Sequence, residues 1–201
     1  MQLYINRLLG SNKVIQMLTL SDFGMNSSGA ISGVIFTLFV INQIQGATIT
    51  DAGLSSLFFL SSSALLNIPL GRFMDKTKGF MDENIILASS LFLRGIAMIL
   101  LAFSTQIWQL YILQVILGIA RSMNFTSWRV LFSKFLDTKH IAAQWSLYDT
   151  VIAIGLGVAT LIGGILGDIV PFSYVIFIAG IISIVGGIFP LLMINDIKGK
   201  H

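Results

Sequence analysis

The chain has 201 residues, of which 55% are hydrophobic and only 10% charged, and its mean hydropathy is +0.88. Soluble domains carry about 25% charged residues, so this balance excludes an ordinary soluble enzyme or nucleic-acid binder and indicates a membrane protein. The absence of cysteine removes disulfides, thiol catalysis and Cys-ligated metal, and the net charge of +3 needs a positional explanation.

Met1–Gln16 is a short mixed segment with Arg7 and Lys13. It has no apolar h-region followed by a small-residue cleavage site, so it reads as an interfacial helix and not as a secretory signal. Residues 1–13 form its cytoplasmic part. The first span, Val14 to Ile44, exceeds the roughly 20 residues a bilayer needs, which tilt accommodates. Asp22, Asn26, Gly29 and Gly33 recur at i, i+4, i+7 and i+11 and share one helical stripe. Two readings of Asp22 stay open. It either faces a polar interior, because an ionisable group in hydrocarbon is costly, or merely starts the helix at the interface.

Gln43–Asp51 is a polar loop in which Thr50 or Asp51 caps the second span, Ala52 to Leu70. Ser55, Ser56 and Ser61–Ser63 there suit close helix packing. A basic turn follows, containing Gly71-Arg72-Phe73-Met74-Asp75-Lys76 and then Lys78-Gly79. Gly71 is expected to end a helix or admit a close backbone approach. Asp75, at the negative end of a helix dipole, calls for a cation. The third span, Asn84 to Ser104, carries Arg94, and Trp108 and Tyr111 flank the external turn after it as belt residues.

In the fourth span, Leu110 to Phe135, Gln114, Gly118 and Arg121 share a face. Lys134–His140 is a second basic loop. The fifth span, Ile141 to Ile169, contains Gly155, Gly157, Gly163, Gly164 and Gly167, which suit close packing. Phe172 to Ile194 is a sixth span, and residues 195–201 form a short basic tail. Arg7, Lys13, Arg72, Lys76, Lys78, Lys134, Lys139, Lys198 and Lys200 fall on one side, with Arg129 near that boundary. The three opposite loops have no Lys or Arg, so both termini are expected in the cytoplasm.

The turn after the second span resembles the signature of major facilitator superfamily transporters, roughly G-x-L-x-D-R-x-G-R. Gly71, Phe73, Asp75 and Lys76 fit it, while Lys78-Gly79 reverses the later Gly-Arg pair. Gln114-Val115-Ile116-Leu117-Gly118 is similar to the R-x-x-x-G element of the family's fourth helix, with Gln replacing the Arg linked to proton coupling. Gly155 to Gly164 resembles the fifth-helix antiporter element without its Gly-Pro centre, which argues against the antiporter branch and also fits a C-terminal half. The resemblance covers essentially the whole chain. It implies an all-α membrane protein of six transmembrane helices in two three-helix inverted repeats, half of the usual twelve-helix fold. It further implies that the first and fourth helices line a central cavity and that the third is peripheral.

Asp22, Arg94, Arg121 and Asp149 lie roughly 13–20 Å along their helices from the flanking basic or polar residues. They either neutralise one another in pairs or line a water-accessible cavity where Asp22 or Asp149 takes a proton. On the family pattern Asp22, Asn26, Gln114 and Arg121, with Asp149, are better candidates for a substrate or proton pathway than Arg94. Gly71, Arg72, Asp75, Lys76 and Arg129 form the candidate conformational loop, with Asp75 expected to pair with Arg129. No metal or cofactor site is expected, since His140 and His201 have no partner at ligand spacing. No hydrolase is expected either, because no histidine inside a span stands ready to activate Ser27 or Ser28.

The expected function is secondary active transport of a small molecule or ion across the cell membrane. The expected assembly is a parallel homodimer with the first and fourth helices near the interface. A separately encoded second half is the rival partner, and a non-transporting structural or regulatory protein is the rival function.

Overall fold

The computed structural model describes residues 12–76 and 80–198. Arg7, Lys78, Gly79, Lys200 and most of the proposed interfacial segment therefore lie outside the described residues. The first helix, α1 (Lys13–Gln43), is capped by Asn12, whose side chain accepts from the Val14 N–H at 3.1 Å. Val14–Gln16 thus continue the first span and do not belong to a separate interfacial helix. After a turn containing Gly46 at φ 70, α2 (Ile49–Met74) begins earlier than the sequence implied. Its cap is Thr48, not Thr50 or Asp51. Asp51 instead occupies the reciprocal position of a capping box and accepts from the Thr48 backbone at 2.8 Å.

The chain continues through α3 (Met81–Ala102), α4 (Ile107–Phe135) and α5 (Ile141–Ile169). The sixth span is broken into α6 (Phe172–Gly186), α7 (Ile188–Leu192) and α8 (Ile194–Lys198). Pro190 accounts for the first break. It has no N–H to offer the Gly186 carbonyl, and its ring crowds the preceding turn.

Five helical stretches are long and apolar enough to cross a membrane: α1, α2, α3, α5 and Phe172–Ile197. The expectation of six such spans therefore needs amending at α4. At 29 residues α4 is about 43 Å long, but Gln109, Gln114, Arg121, Asn124 and Arg129 interrupt its apolar surface. Gln114 and Asn124 are buried in the bundle, whereas Arg121 and Arg129 are exposed and border a cavity. α4 packs chiefly against α2 and α3, α1 chiefly against α5 and α6, and α3 against α6. Buried residues run along most of α3, which packs between α4 and α6 within this bundle.

Two apolar clusters sit at different heights. One, at the end carrying Lys13 and Lys134, gathers Val14, Leu18, Leu87, Trp128, Phe132 and Met193. The other gathers Ile35, Phe39, Leu101, Leu110, Leu113 and Ile176. The chain between them supplies buried polar side chains, among them Asp22, Ser28, Ser90, Arg94, Asn124 and Ser183. Polar groups deep in such a bundle persist where they are hydrogen-bonded or face a cavity. The outer surface is apolar, as at Leu57, Leu60 and Leu65 of α2 and Ile154, Leu161 and Ile165 of α5, as a lipid-facing surface requires.

Glycines set two of the helix contacts. A Cβ on Gly163 would stand 2.5 Å from the Ile31 carbonyl oxygen of α1, and one on Gly118 would stand 2.3 Å from the Phe59 carbonyl oxygen of α2. Gly155 and Gly167 also face α1, whereas Gly157 and Gly164 face open space, so only part of the α5 glycine set serves packing. Ser62 donates across the α2–α4 contact to the Val115 carbonyl at 3.2 Å.

Candidate functional site: a carboxylate cavity and an arginine cavity

Asp22 is 7% exposed, and its Oδ2 accepts from the Tyr148 hydroxyl at 2.5 Å and from Asn26 Nδ2 at 2.7 Å. The pairing with Asn26 follows from their spacing of four on α1. The Tyr148 hydroxyl arrives from α5. These groups border a cavity of about 350 Å³ that also contains Arg121 and Arg129 of α4 and Asp149 of α5. Asp22, Asn26, Arg121 and Asp149 are thus brought together, as the sequence suggested. Gln114 is not with them.

Gln114 lies in a second cavity, of about 380 Å³, with Arg94 of α3 and Ser32 and Phe36 of α1. Arg94 was ranked below the other charges on the family pattern, yet it is 8% exposed and lines this cavity. Its guanidinium lies along α1, since a Cβ on Gly29 would stand 3.3 Å from Nη2.

Of the two readings of the four intramembrane charges, mutual neutralisation in pairs is not what the described residues show. Among the described residues, ion pairs within 4.0 Å join Lys13 to Asp196, Lys134 to Glu83 and His140 to Asp137. None involves Asp22, Arg94, Arg121 or Asp149. Instead Arg129 sits 3.9 Å over the Phe125 ring and Arg121 sits 5.5 Å over the Phe59 ring.

The sequence matches the Major Facilitator Superfamily over residues 18–201. The chain belongs to that superfamily. It is 26% identical over 167 residues to the tetracycline resistance protein, class H, of Pasteurella multocida. That match covers 82% of this chain and 40% of the resistance protein. It is also 28% identical over 155 residues to the uncharacterized MFS-type transporter YitZ of Bacillus subtilis (strain 168), covering 76% of this chain and 90% of that protein. The chain therefore spans less than half the length of the first relative and most of the second.

The signature turn is described only up to Lys76. Gly71 does not end a helix, since α2 runs on to Met74, and among the described residues a Cβ there would meet nothing within 4 Å. Arg72, Asp75 and Lys76 are exposed. Asp75 makes no ion pair with Arg129, because Arg129 lies on the α4 face that borders the carboxylate cavity and stacks on Phe125. The acid drawn to the α4 end is Glu83, fully buried, with Lys134 Nζ 4.0 Å away. In the loop after α4, a hydrogen bond with His140 holds the Asp137 carboxyl below its ordinary range.

Two side chains of the carboxylate cavity escaped sequence reasoning. Tyr148 was overlooked for its charged neighbour Asp149, although the buried positions Ile152, Gly155, Ala159 and Gly163 mark the α5 face toward α1, and Tyr148 falls on that stripe. Trp128 was the other. Its Nε1 donates to the Leu18 carbonyl at 2.9 Å, and its ring stacks on Phe132 with centroids 4.5 Å apart. Trp128, Trp145 and Tyr148 form the aromatic wall of the carboxylate cavity.

Proposed function

We propose that this integral membrane protein is a secondary active transporter of a small solute, working by alternating access between two six-helix bundles. The observation that carries this reading is Asp22. It is a buried carboxylate at a cavity, held by two neutral donors and by no cation, so a proton can be taken up and released there without breaking an ion pair.

The packing pattern supports the inverted-repeat part of the reading. Exchanging α1 with α4, α2 with α5 and α3 with the sixth span carries the main helix contacts onto one another. The α1–α5 contact replaces α4–α2, α1–α6 replaces α4–α3, and α3–α6 is retained. The second bundle is read as a second copy in parallel orientation, with a separate half as the other source. Either would cover the polar positions of α1 and α4 that lipid cannot. The distribution of Lys and Arg supports cytoplasmic termini and a single orientation in the cell membrane. The role assigned to the chain is transport and not catalysis.

The test is proton movement in proteoliposomes holding a pH-sensitive dye. Pooled small organic solutes are expected to drive it in the native protein and to fail with Asp22→Asn. Asn26→Cys and Gln114→Cys, made in a chain with no native cysteine, should react with a membrane-impermeant thiol reagent. Protection of both from either side, with no proton movement for any pool, would leave a non-transporting membrane protein.

A further inference from the structure

The second cavity contains a charge that nothing among the described residues answers. Arg94 is 8% exposed, its Nε is buried with no hydrogen-bond partner, and it makes no ion pair among the described residues. The charge it feels most is that of Arg121, another cation. A guanidinium has five donors and no acceptor, and stripping it of water without an anion is expensive. A side chain so placed calls for a counter-ion from outside the chain.

The surroundings restrict what that anion is. Gln114, 6% exposed on the same cavity, also makes no hydrogen bond among the described residues and presents an amide donor. Ser32 and Ser56 have their hydroxyl protons committed to the Ser28 and Ala52 carbonyls, at 2.8 and 3.0 Å, so the uncommitted donors there are the buried Arg94 and Gln114 and the exposed Thr37 hydroxyl. Most of the remaining wall is apolar: Phe36, Phe59, Met98 and Leu101. Arg121, over the Phe59 ring, adds positive potential from beyond that wall. Two buried donors and one exposed hydroxyl among aromatic and aliphatic walls suit a single charged group on an apolar body. A dianion or a sugar would leave acceptors unmet.

We propose that this cavity binds an organic monoanion, a carboxylate on an apolar body, with Arg94 and Gln114 donating to the carboxylate. Arg94 supplies the planar fork that matches a carboxylate in bidentate fashion. This names the class of solute for the transport reading above and rests on it only for the claim that the bound anion is carried.

The test uses the purified full chain in detergent, with benzoate and its neutral counterpart benzamide as probes, by titration calorimetry at constant ionic strength. Benzoate is expected to bind at least about tenfold tighter than benzamide. Arg94→Gln should weaken benzoate binding about ten- to hundredfold and erase the preference, because a hydrogen bond to a charged group is lost. Arg94→Lys should recover part of the loss, keeping charge without the fork. Should Arg94→Gln fail to fold, Gln114→Leu decides, with an expected loss of about three- to tenfold. Equal affinity for the two probes, or benzoate binding untouched by Gln114→Leu, overturns the site. Failure of the site leaves proton-coupled transport through Asp22 standing. A protein that binds benzoate through Arg94 but moves no protons in liposomes keeps the site and loses the transporter.

Discussion

The two cavities share α1, where Asp22, Met25 and Asn26 border the first and Ser32, Gly33, Phe36 and Thr37 the second, yet hold charge in opposite ways. At the first, Asp22 is met by a tyrosine hydroxyl and an asparagine amide, and Asp149 shares the space with Arg121 and Arg129. At the second, Arg94 has no partner among apolar walls. A buried ionisable group answered by neutral donors is stable by itself and free to change protonation. One left unanswered makes its surroundings depend on what arrives. On the two proposals above, the difference corresponds to different tasks, one concerned with protons and the other with an anion.

The strongest way to break this comparison is to spoil one cavity and spare the other. Gly163→Val drives side-chain atoms into the Ile31 backbone and pushes α5 from α1, which carries Tyr148 away from Asp22. Gly118→Val does the same between α4 and α2 beside Phe59, a wall of the arginine cavity. Each is expected to cost about 3 kcal/mol or more, since backbone on the far side cannot give way. Thermal unfolding in detergent reads the cost. Thiol labelling of Asn26→Cys and Gln114→Cys in each background should show Gly163→Val disturbing the first position more and Gly118→Val the second.

A smaller effect has opposite signs at the two sites. Tyr148→Phe takes a donor from a buried carboxylate and should lower stability by about 1–3 kcal/mol. Arg94→Met removes an unanswered charge while keeping a flexible apolar stem, and should raise stability in anion-free buffer by a similar amount. Loss of stability in both variants would mean that Arg94 is held by something as firmly as Asp22 is, and the contrast between the cavities would disappear.

The smallest effect concerns Asp75 and Arg129. With no ion pair between them, Asp75→Asn and Arg129→Ala should add in a double-mutant cycle to within about 0.5 kcal/mol. Coupling above 1 kcal/mol or so would place Arg129 outside the carboxylate cavity for part of the time.

Much of the frame was readable from the residues, because bilayer thickness imposes long apolar runs and basic residues punctuate them on one side. The stripe of Asp22 and Asn26 was readable for the same reason that any helix face is: spacing alone puts both on one side. What spacing could not supply was the partner from another helix. Asp22 meets Tyr148 only because Gly155 and Gly163 let α5 lie against α1, and that contact joins residues 126 positions apart. The resemblance places third helices at the margin and so ranks Arg94 low, whereas in this bundle α3 is buried between α4 and α6 and Arg94 lines a cavity. In the described part of the signature turn, α2 runs past Gly71, and Asp75 makes no ion pair with Arg129. Pro190, visible from the start, was not weighed as a helix breaker.

The aromatic wall also turns the protein into its own optical instrument. Of the three tryptophans, Trp108 is exposed at the far end of the bundle, while Trp128 and Trp145 lie with ring centroids 4.7 and 5.9 Å from Tyr148, whose hydroxyl holds Asp22. A proton arriving on that carboxylate, or a shift of α5 against α1, must alter the field and the contacts around two indoles at once. Emission from a Trp108→Phe chain would therefore follow the carboxylate cavity in unlabelled protein, in real time and in a native-like bilayer.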